Sequence, residues 1–464
     1  MSAAVTMRVW LSLARHRSAP GSASGGAPGG GRLPSVLAVV AFAAATWAAL
    51  TVAGGTAAFV ARAQGVPLDD DARAYPVLAA VSCVLLAVPV WTLGAAAARL
   101  TVARRNLRLA RLRLVGATAG QVTVLALLDA ALEALAGAAA GAVGWLASVP
   151  LLARVHFQGR PFGASELLLP AWGVAATVAA VLLIALLSCA GSLRKVAVTP
   201  LGVVRRVTPP HLRLVRALPL VVLAGGFALG FNRLAGLLGD SGHRLLLIGV
   251  VLGFVGGAFA VYNLVGPLLV GLVGRLLVRA ARTPATLLAA RRLVDDPRSA
   301  WRGVGGIALV TFVAGLLSIV PGIESGEDPH PDPIATDIGT GALATLAIAA
   351  LMAAVSTGVT QAARVLDQAP QYRALHRGGV DVAVLHAARS RETWLPLAVT
   401  VGGAGVSALV LISPFLTVLR ADAVRGVGVF VVTAVGGAAL VLVASRAGRP
   451  LVTAAAGTRP PSRS

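Results

Sequence analysis

Five arginines, Arg104, Arg105, Arg108, Arg111 and Arg113, fall within ten residues and run into a turn-like LVGAT holding Gly116, Ala117 and Thr118. An apolar helix is expected to begin at once, and an acid, Asp129, sits thirteen positions after Gly116. Arginines at this density can fix membrane orientation, bind anionic lipid or dock an acidic partner. A fainter copy, QAPQYRALHRGGVDVAVLHAARSRET, lies at Gln368 to Thr393. Aligning Gly116 with Gly379 pairs Leu112 with Leu375, Val122 with Leu385 and Asp129 with Glu392, without a gap, at an offset of 263 residues. A duplication of this size implies pseudo-twofold architecture; the competing account is chance similarity between two Arg- and Gly-biased loops. A carboxylate near a helix N-terminus is favoured by the helix dipole, and each acid could pair with an arginine of its own basic segment.

Catalytic motifs are missing. The one lysine, Lys195, lies in LRKVAV, so no GxxxxGK[ST] exists, and HExxH, GxSxG and CxxC are absent too. None of the seven histidines pairs with another at ligand spacing, and Cys83 and Cys189 fall in apolar stretches without a disulfide framework. The loop GIESGEDPHPDPIAT gathers Glu324, Glu327, Asp328 and Asp332 around His330, but its spacing matches no metal loop and reads as a solvated turn. No enzyme activity, cofactor or metal is expected. Acids at mid-span depth are also nearly absent: Asp129, Glu133 and Glu392 sit near span ends. A proton- or ion-coupled carrier needs polar stepping points within the bundle, so energy is expected from outside this chain.

The elements that position these residues are membrane spans. The chain has 464 residues, 57% hydrophobic and 12% charged, against about a quarter charged in a soluble domain. A net charge of +22 invites a nucleic-acid reading, but most basic residues fall in alternate loops and at the termini, as positive-inside topology requires. No basic face interleaves with aromatics as a nucleic-acid groove would need. Ten spans are expected, near residues 33–61, 75–98, 120–152, 170–191, 217–238, 244–273, 303–321, 337–362, 392–417 and 425–445, with both termini inside and short outer loops. Span six carries a ridge of Gly249, Gly253 and Gly257 that allows close helix approach. AARRLVDDPRSAWR, within the basic loop 275–302, is expected to lie as an amphipathic helix along the inner surface and to bend at Pro297.

The basic helix, the RLVGAT turn, Gln121-Val122, the Leu-rich start and Asp129 resemble the FtsX-like permease domain of the MacB-type ABC transporter superfamily. The second copy keeps Leu375, Gly379, Val380 and Glu392, and TPLGVVR at Thr199 to Arg205 resembles the segment that follows the fourth helix of such a domain. The family's upstream Glu is missing here. The layout is similar to the ten-span bacitracin-type peptide-resistance permeases, without their large extracellular domain. The resemblance implies an all-α integral membrane protein with two pseudo-repeated units. Residues 1–32 form a flexible basic cytoplasmic tail, 33–74 the first span and outer loop, and 75–206 the first permease unit. Residues 207–336 hold linking spans five to seven, 337–446 the second permease unit, and 447–464 a cytoplasmic tail.

It further implies a subunit of the bacterial cytoplasmic membrane, with a separate ABC ATPase, in two copies, as partner alongside membrane lipid. Coupling would run through Arg104, Arg105, Arg108, Arg111, Arg113, Gly116, Ala117 and Thr118 in one copy, and through Arg373, Arg377, Gly379 and Asp381 in the other. Asp129 and Glu392 would be structural or coupling acids. The work done would be export, or transmission of force, on a hydrophobic, peptide or lipid-type substrate. A ten-span secondary transporter and a non-transporting regulator of a partner protein are the alternatives.

Overall fold

The computed structural model describes residues 33–64, most of 75–97, 118–197, 264–302 and 333–412, with isolated positions at 304, 311 and 431–443. The arginines Arg104 to Arg113 with Gly116 and Ala117, the TPLGVVR segment, the Gly249 ridge and the acidic loop around His330 lie outside the described residues. So do both tails, span five and most of spans six, seven and ten.

The described chain is mostly helical. In order, it forms α1 (Leu33–Gln64), α2 (Tyr75–Ala97), α3 (Ala119–Leu152), a hairpin of β1 (His156–Phe157) and β2 (Arg160–Pro161), and α4 (Ala164–Leu167). There follow α5 (Ala171–Ala197), α6 (264–280), α7 (Pro284–Asp295), α8 (Pro297–Arg302), α9 (Pro333–Asp367), α10 (Ala369–Arg377) and α11 (Val382–Ile412). Among the described residues, five helices are long and apolar enough to cross a membrane: Ser35–Gln64, Tyr75–Ala97, Gly120–Leu152, Ala171–Gly191 and Asp337–Val365. Each lies within a few residues of an expected span, and together they fit a multi-pass membrane protein. Val143, Leu146, Leu183 and Leu187 are exposed on them, as helices with lipid-facing surfaces require.

Two compact units make up the chain: Met1–Thr51, Val90–Ser148 and Leu169–Arg205 in the first, and Val52–Pro89, Val149–Leu168 and Arg206–Ser464 in the second. In the first, α1 and α3 run in the same direction, because Ser35 meets Glu133 at one end and Trp47 meets Ser148 at the other. Two parallel helices need a crossing between them, and α2 supplies it. A Cβ on Gly137 would collide with Phe42, and one on Gly141 with the Ala43 carbonyl, so the two backbones approach as only glycine permits. Nearer its N-terminus α3 buries Val122, Leu125, Ala126 and Ala130 in one cluster with Cys189 of α5.

In the second unit, α6 and the α7–α8 pair pack antiparallel through a different set of glycines. Gly266 faces the Trp301 ring, Gly271 faces Pro297, and Gly274 faces Leu293 and Val294. Here the structure differs from expectation once. The helix of span six continues through Arg275 and Arg279 to residue 280 instead of ending near 273. The helix α7 is amphipathic, as expected; it buries Ala285, Ala289, Ala290 and Leu293 and packs against α11.

The α1–α3 contact gives a direct test. Gly141→Leu is expected to cost about 1–3 kcal/mol through overpacking. Gly144→Ala adds a Cβ at 3.8 Å from Trp47 and should be neutral, or stabilising by up to about 1 kcal/mol. Thermal unfolding of the two variants in detergent checks both.

Candidate functional site

The two segments singled out in the sequence are helix entrances, and each is built by a cap. Thr118 precedes α3: its Oγ1 accepts from the Gln121 N–H at 3.4 Å, while Gln121 Oε1 accepts from the Thr118 N–H at 3.0 Å. This reciprocal box satisfies amide groups that the first turn of a helix leaves open. Asp381 does the same for α11, with Oδ1 accepting from the Ala383 N–H at 3.2 Å. The caps stand 263 residues apart, the offset of the sequence alignment. Past them the same positions are buried in α3 and α11: Val122 and Leu385, Leu125 and Ala388, Ala130 and Thr393, Ala134 and Leu397.

Before Asp381, α10 is a short amphipathic helix. Arg373 and Arg377 stand on its exposed side, while Leu375 packs with Val380 and Leu288 against Val365 and Leu385. It ends in a glycine turn in which the Gly379 N–H donates to His376 and the Val380 N–H to Leu375, at 3.1 and 3.0 Å. Gly379 has φ +87°, a conformation that strains any residue with a Cβ. The glycine of the RGGVD turn is therefore required by the backbone.

Asp129 is buried at 6% exposure, and Glu392 is partly buried, its side chain 11% exposed. Near Asp129, Glu133 accepts from Ser35 Oγ at 2.9 Å. Glu392 does not draw its partners from its own basic segment. Arg292 of α7 reaches its Oε2 at 3.3 Å, and Arg364 of α9 lies 3.7 Å from its Oε1. Arg292 also donates to Gln368, between α9 and α10, at 3.4 Å. Beside this joint, Arg391 donates to both Thr283 and Thr286 at 2.7 Å. Thr283 is itself the N-cap of α7, so the guanidinium grips the helix at its first turn.

A second constellation lies at the other end of the second unit's helices, and the sequence reading passed over it. Arg62, in the last turn of α1, donates through Nε and Nη2 to Glu166 Oε2 at 2.9 and 2.6 Å. It also donates to the carbonyls of Phe157 and Pro161, and stacks 4.5 Å above the Phe162 ring. Phe59 sits among Tyr75, Phe157 and Phe162 with ring centroids 5.1–5.7 Å away. Asp337 Oδ2 accepts from the Tyr75 hydroxyl and the Gln158 N–H, both at 2.6 Å. The hairpin is thus clamped to α1, α2 and α9. The available signals were Arg62, a lone charge ending an apolar run, and Phe59 one turn before it.

Burial alone would raise the Glu166 carboxyl, but the hydrogen bond from Arg62, the Gly163 N–H and the charges of Arg62 and Arg160 outweigh it and hold the pKa below the ordinary carboxylate value. Among the described residues, no group of three His, Cys, Asp or Glu side chains could hold a metal ion.

A depressed folded-state pKa means that the unfolded chain binds the proton more tightly. The Glu166 contribution to stability is therefore whole above the unfolded carboxylate pKa, and is lost as pH falls through the folded one. Thermal unfolding between pH 7 and pH 3 should show this acid-side loss in the parent and a smaller one in Glu166→Gln. At the helix entrances, Thr118→Ala and Asp381→Ala should each cost about 0.5–2 kcal/mol, measured in detergent at neutral pH.

No family model, curated protein or solved structure matches this chain.

Proposed function

We propose that this chain is the membrane subunit of an ABC transporter of the FtsX/MacB class, working with a separate ATPase on the side of α10. The contact between α2 and α9 carries this reading. Thr345 Oγ1 donates to Ser82 Oγ at 3.1 Å, and these residues are 263 apart, the offset of the two basic segments. Tyr75 and Asp337, 262 apart, meet about two turns nearer the hairpin. Leu86 shares a core cluster with Ala349, again at the offset. In a twofold arrangement, equivalent residues touch one another only along the axis. A run of such pairs between two parallel helices is what an axis along the membrane normal would produce, and it supports a duplicated permease.

On this reading the duplicated entrances are the coupling elements. The segment Arg104 to Thr118 and the helix α10 with its turn to Asp381 would each receive one ATPase subunit. Displacement of a short helix passes to a long one through the capped turn, because a glycine turn closed by hydrogen bonds changes direction without slack. Asp129, buried, and Glu392, partly buried, each eleven residues past its cap, hold the roots of those long helices. The short hairpin clasped by Arg62 closes the far side. With α10 inside, both termini would be cytoplasmic, and the cargo would be a hydrophobic, peptide or lipid-type molecule, or force itself.

Two entrances in one chain predict one permease to two ATPases in native mass spectrometry of the complex purified from detergent. Reversing Arg108, Arg111 and Arg113 to Glu should weaken assembly more than reversing Arg373 and Arg377, since the first segment is the more basic. A stable two-to-two complex, with only the first segment touching ATPase, would show that the second entrance has no docking role.

A further inference from the structure

The α7–α8 pair lies outside both proposed repeats, yet it is the most tightly held element at the α10 end of the second unit. On one face, α6 receives it through Gly266, Gly271 and Gly274, with Val294 Cγ2 3.1 Å and Leu293 Cβ 3.2 Å from where a Cβ on Gly274 would stand. Against α11 it packs Leu288 beside Leu385, flanked by two polar clasps: Arg292 on Glu392, and Arg391 on Thr283 and Thr286. All of these clasps grip α11 at or before Glu392. Just beyond them stands Pro396, inside the same helix. Proline has no N–H to give the Glu392 carbonyl, so the helical ladder is interrupted immediately past the joint. Thr400 Oγ1 bonds the Pro396 carbonyl at 2.6 Å one turn further on. The root of α11, residues 382–392, is therefore tied to α7 by polar clasps, while its own helical ladder lacks one bond towards the distal part.

We propose that α7–α8 is a transmission strut, with Glu392 as its positioning residue. Displacement of α10 and of the α11 root is delivered through it to α6 and to the chain following α8, while Pro396 lets the distal part of α11 stay behind. Glu392 suits this task because its two oxygens face arginines from two different elements, α7 and α9. An apolar contact at that point would slide; a carboxylate shared by two guanidiniums fixes register as well as distance. The proposal rests on the reading of α10 as the place where force enters, but the strut is a property of this chain alone.

The experiment is a distance measurement in the full chain, in detergent and without ATPase. Spin labels are placed at the exposed positions Arg377→Cys on α10 and Arg298→Cys on α8, with Cys83 and Cys189 replaced by Ala. Double electron–electron resonance should give a narrow distribution in this background. Glu392→Gln should at least double its width, Arg292→Gln should do the same, and Arg292→Lys, which retains the charge opposite Glu392, should stay narrow. A merely structural loss would not be rescued by the lysine. Should Glu392→Gln fail to fold, Arg391→Ala with Thr286→Val removes the other clasp and carries the same expectation. Equal widths in the parent and the variants, or broadening in Arg292→Lys as large as in Arg292→Gln, overturns the strut. Broadening as expected in a chain that recruits no ATPase would sink the transport reading and leave the strut standing.

Discussion

Hydrocarbon gives apolar helices no reason to prefer one another over lipid. Helix pairs in this chain must therefore be held by close backbone approach and by a small number of polar bonds. The structure uses both, and keeps them in different places. Glycines do the work along the helix bodies, at Gly137 and Gly141 against α1 and at Gly266 to Gly274 against α7–α8. Mid-helix polar contacts are modest, as between Thr56 and Cys83 or Ser82 and Thr345. Among the described residues, charge pairs join Arg62 in the last turn of α1 to Glu166, and Arg292 in the last turn of α7 to Glu392.

These contacts have a mechanical consequence. Each glycine of these ridges receives a particular neighbour, Phe42 and the Ala43 carbonyl on α1 and the Trp301 ring and Pro297 on α8, so a shift along the helix would drive those groups against side chains. A charge pair or a capped turn is likewise bound to one register, because its hydrogen bonds exist only there. Helix bodies and helix ends are thus both held in register, and adjoining helices move as joined units. On the proposed reading this is useful for a subunit that receives a push on one side and delivers movement on the other.

The two ends are pinned differently. At the hairpin end, aromatic rings and one arginine enclose backbone carbonyls, making a dry clasp with little room for rearrangement. At the α10 end, the Glu392 contacts are longer, 3.3 and 3.7 Å, and shared between two arginines. A carboxylate with two partners can shift its weight between them without being left bare.

The sequence by itself determined that the chain is helical and crosses a membrane, because a run of twenty or more apolar residues has no other stable fate in lipid. It also placed the four spans before residue 191 and the one beginning at Asp337 to within a few residues, and it singled out Thr118, Gly379 and Asp381, since caps and left-handed turns depend on neighbours close in sequence. The sequence placed Asp129 and Glu392 near span ends, and the burial of Asp129 is a finding of the structure. Only the tertiary structure decided what those acids touch. Arg292 lies a hundred residues from Glu392, and Arg62 lies about as far from Glu166, so no periodicity within a helix connects them. It also decided that α7 faces protein: an amphipathic pattern states that one face is apolar, but whether lipid or another helix covers it depends on which glycines and alanines stand opposite.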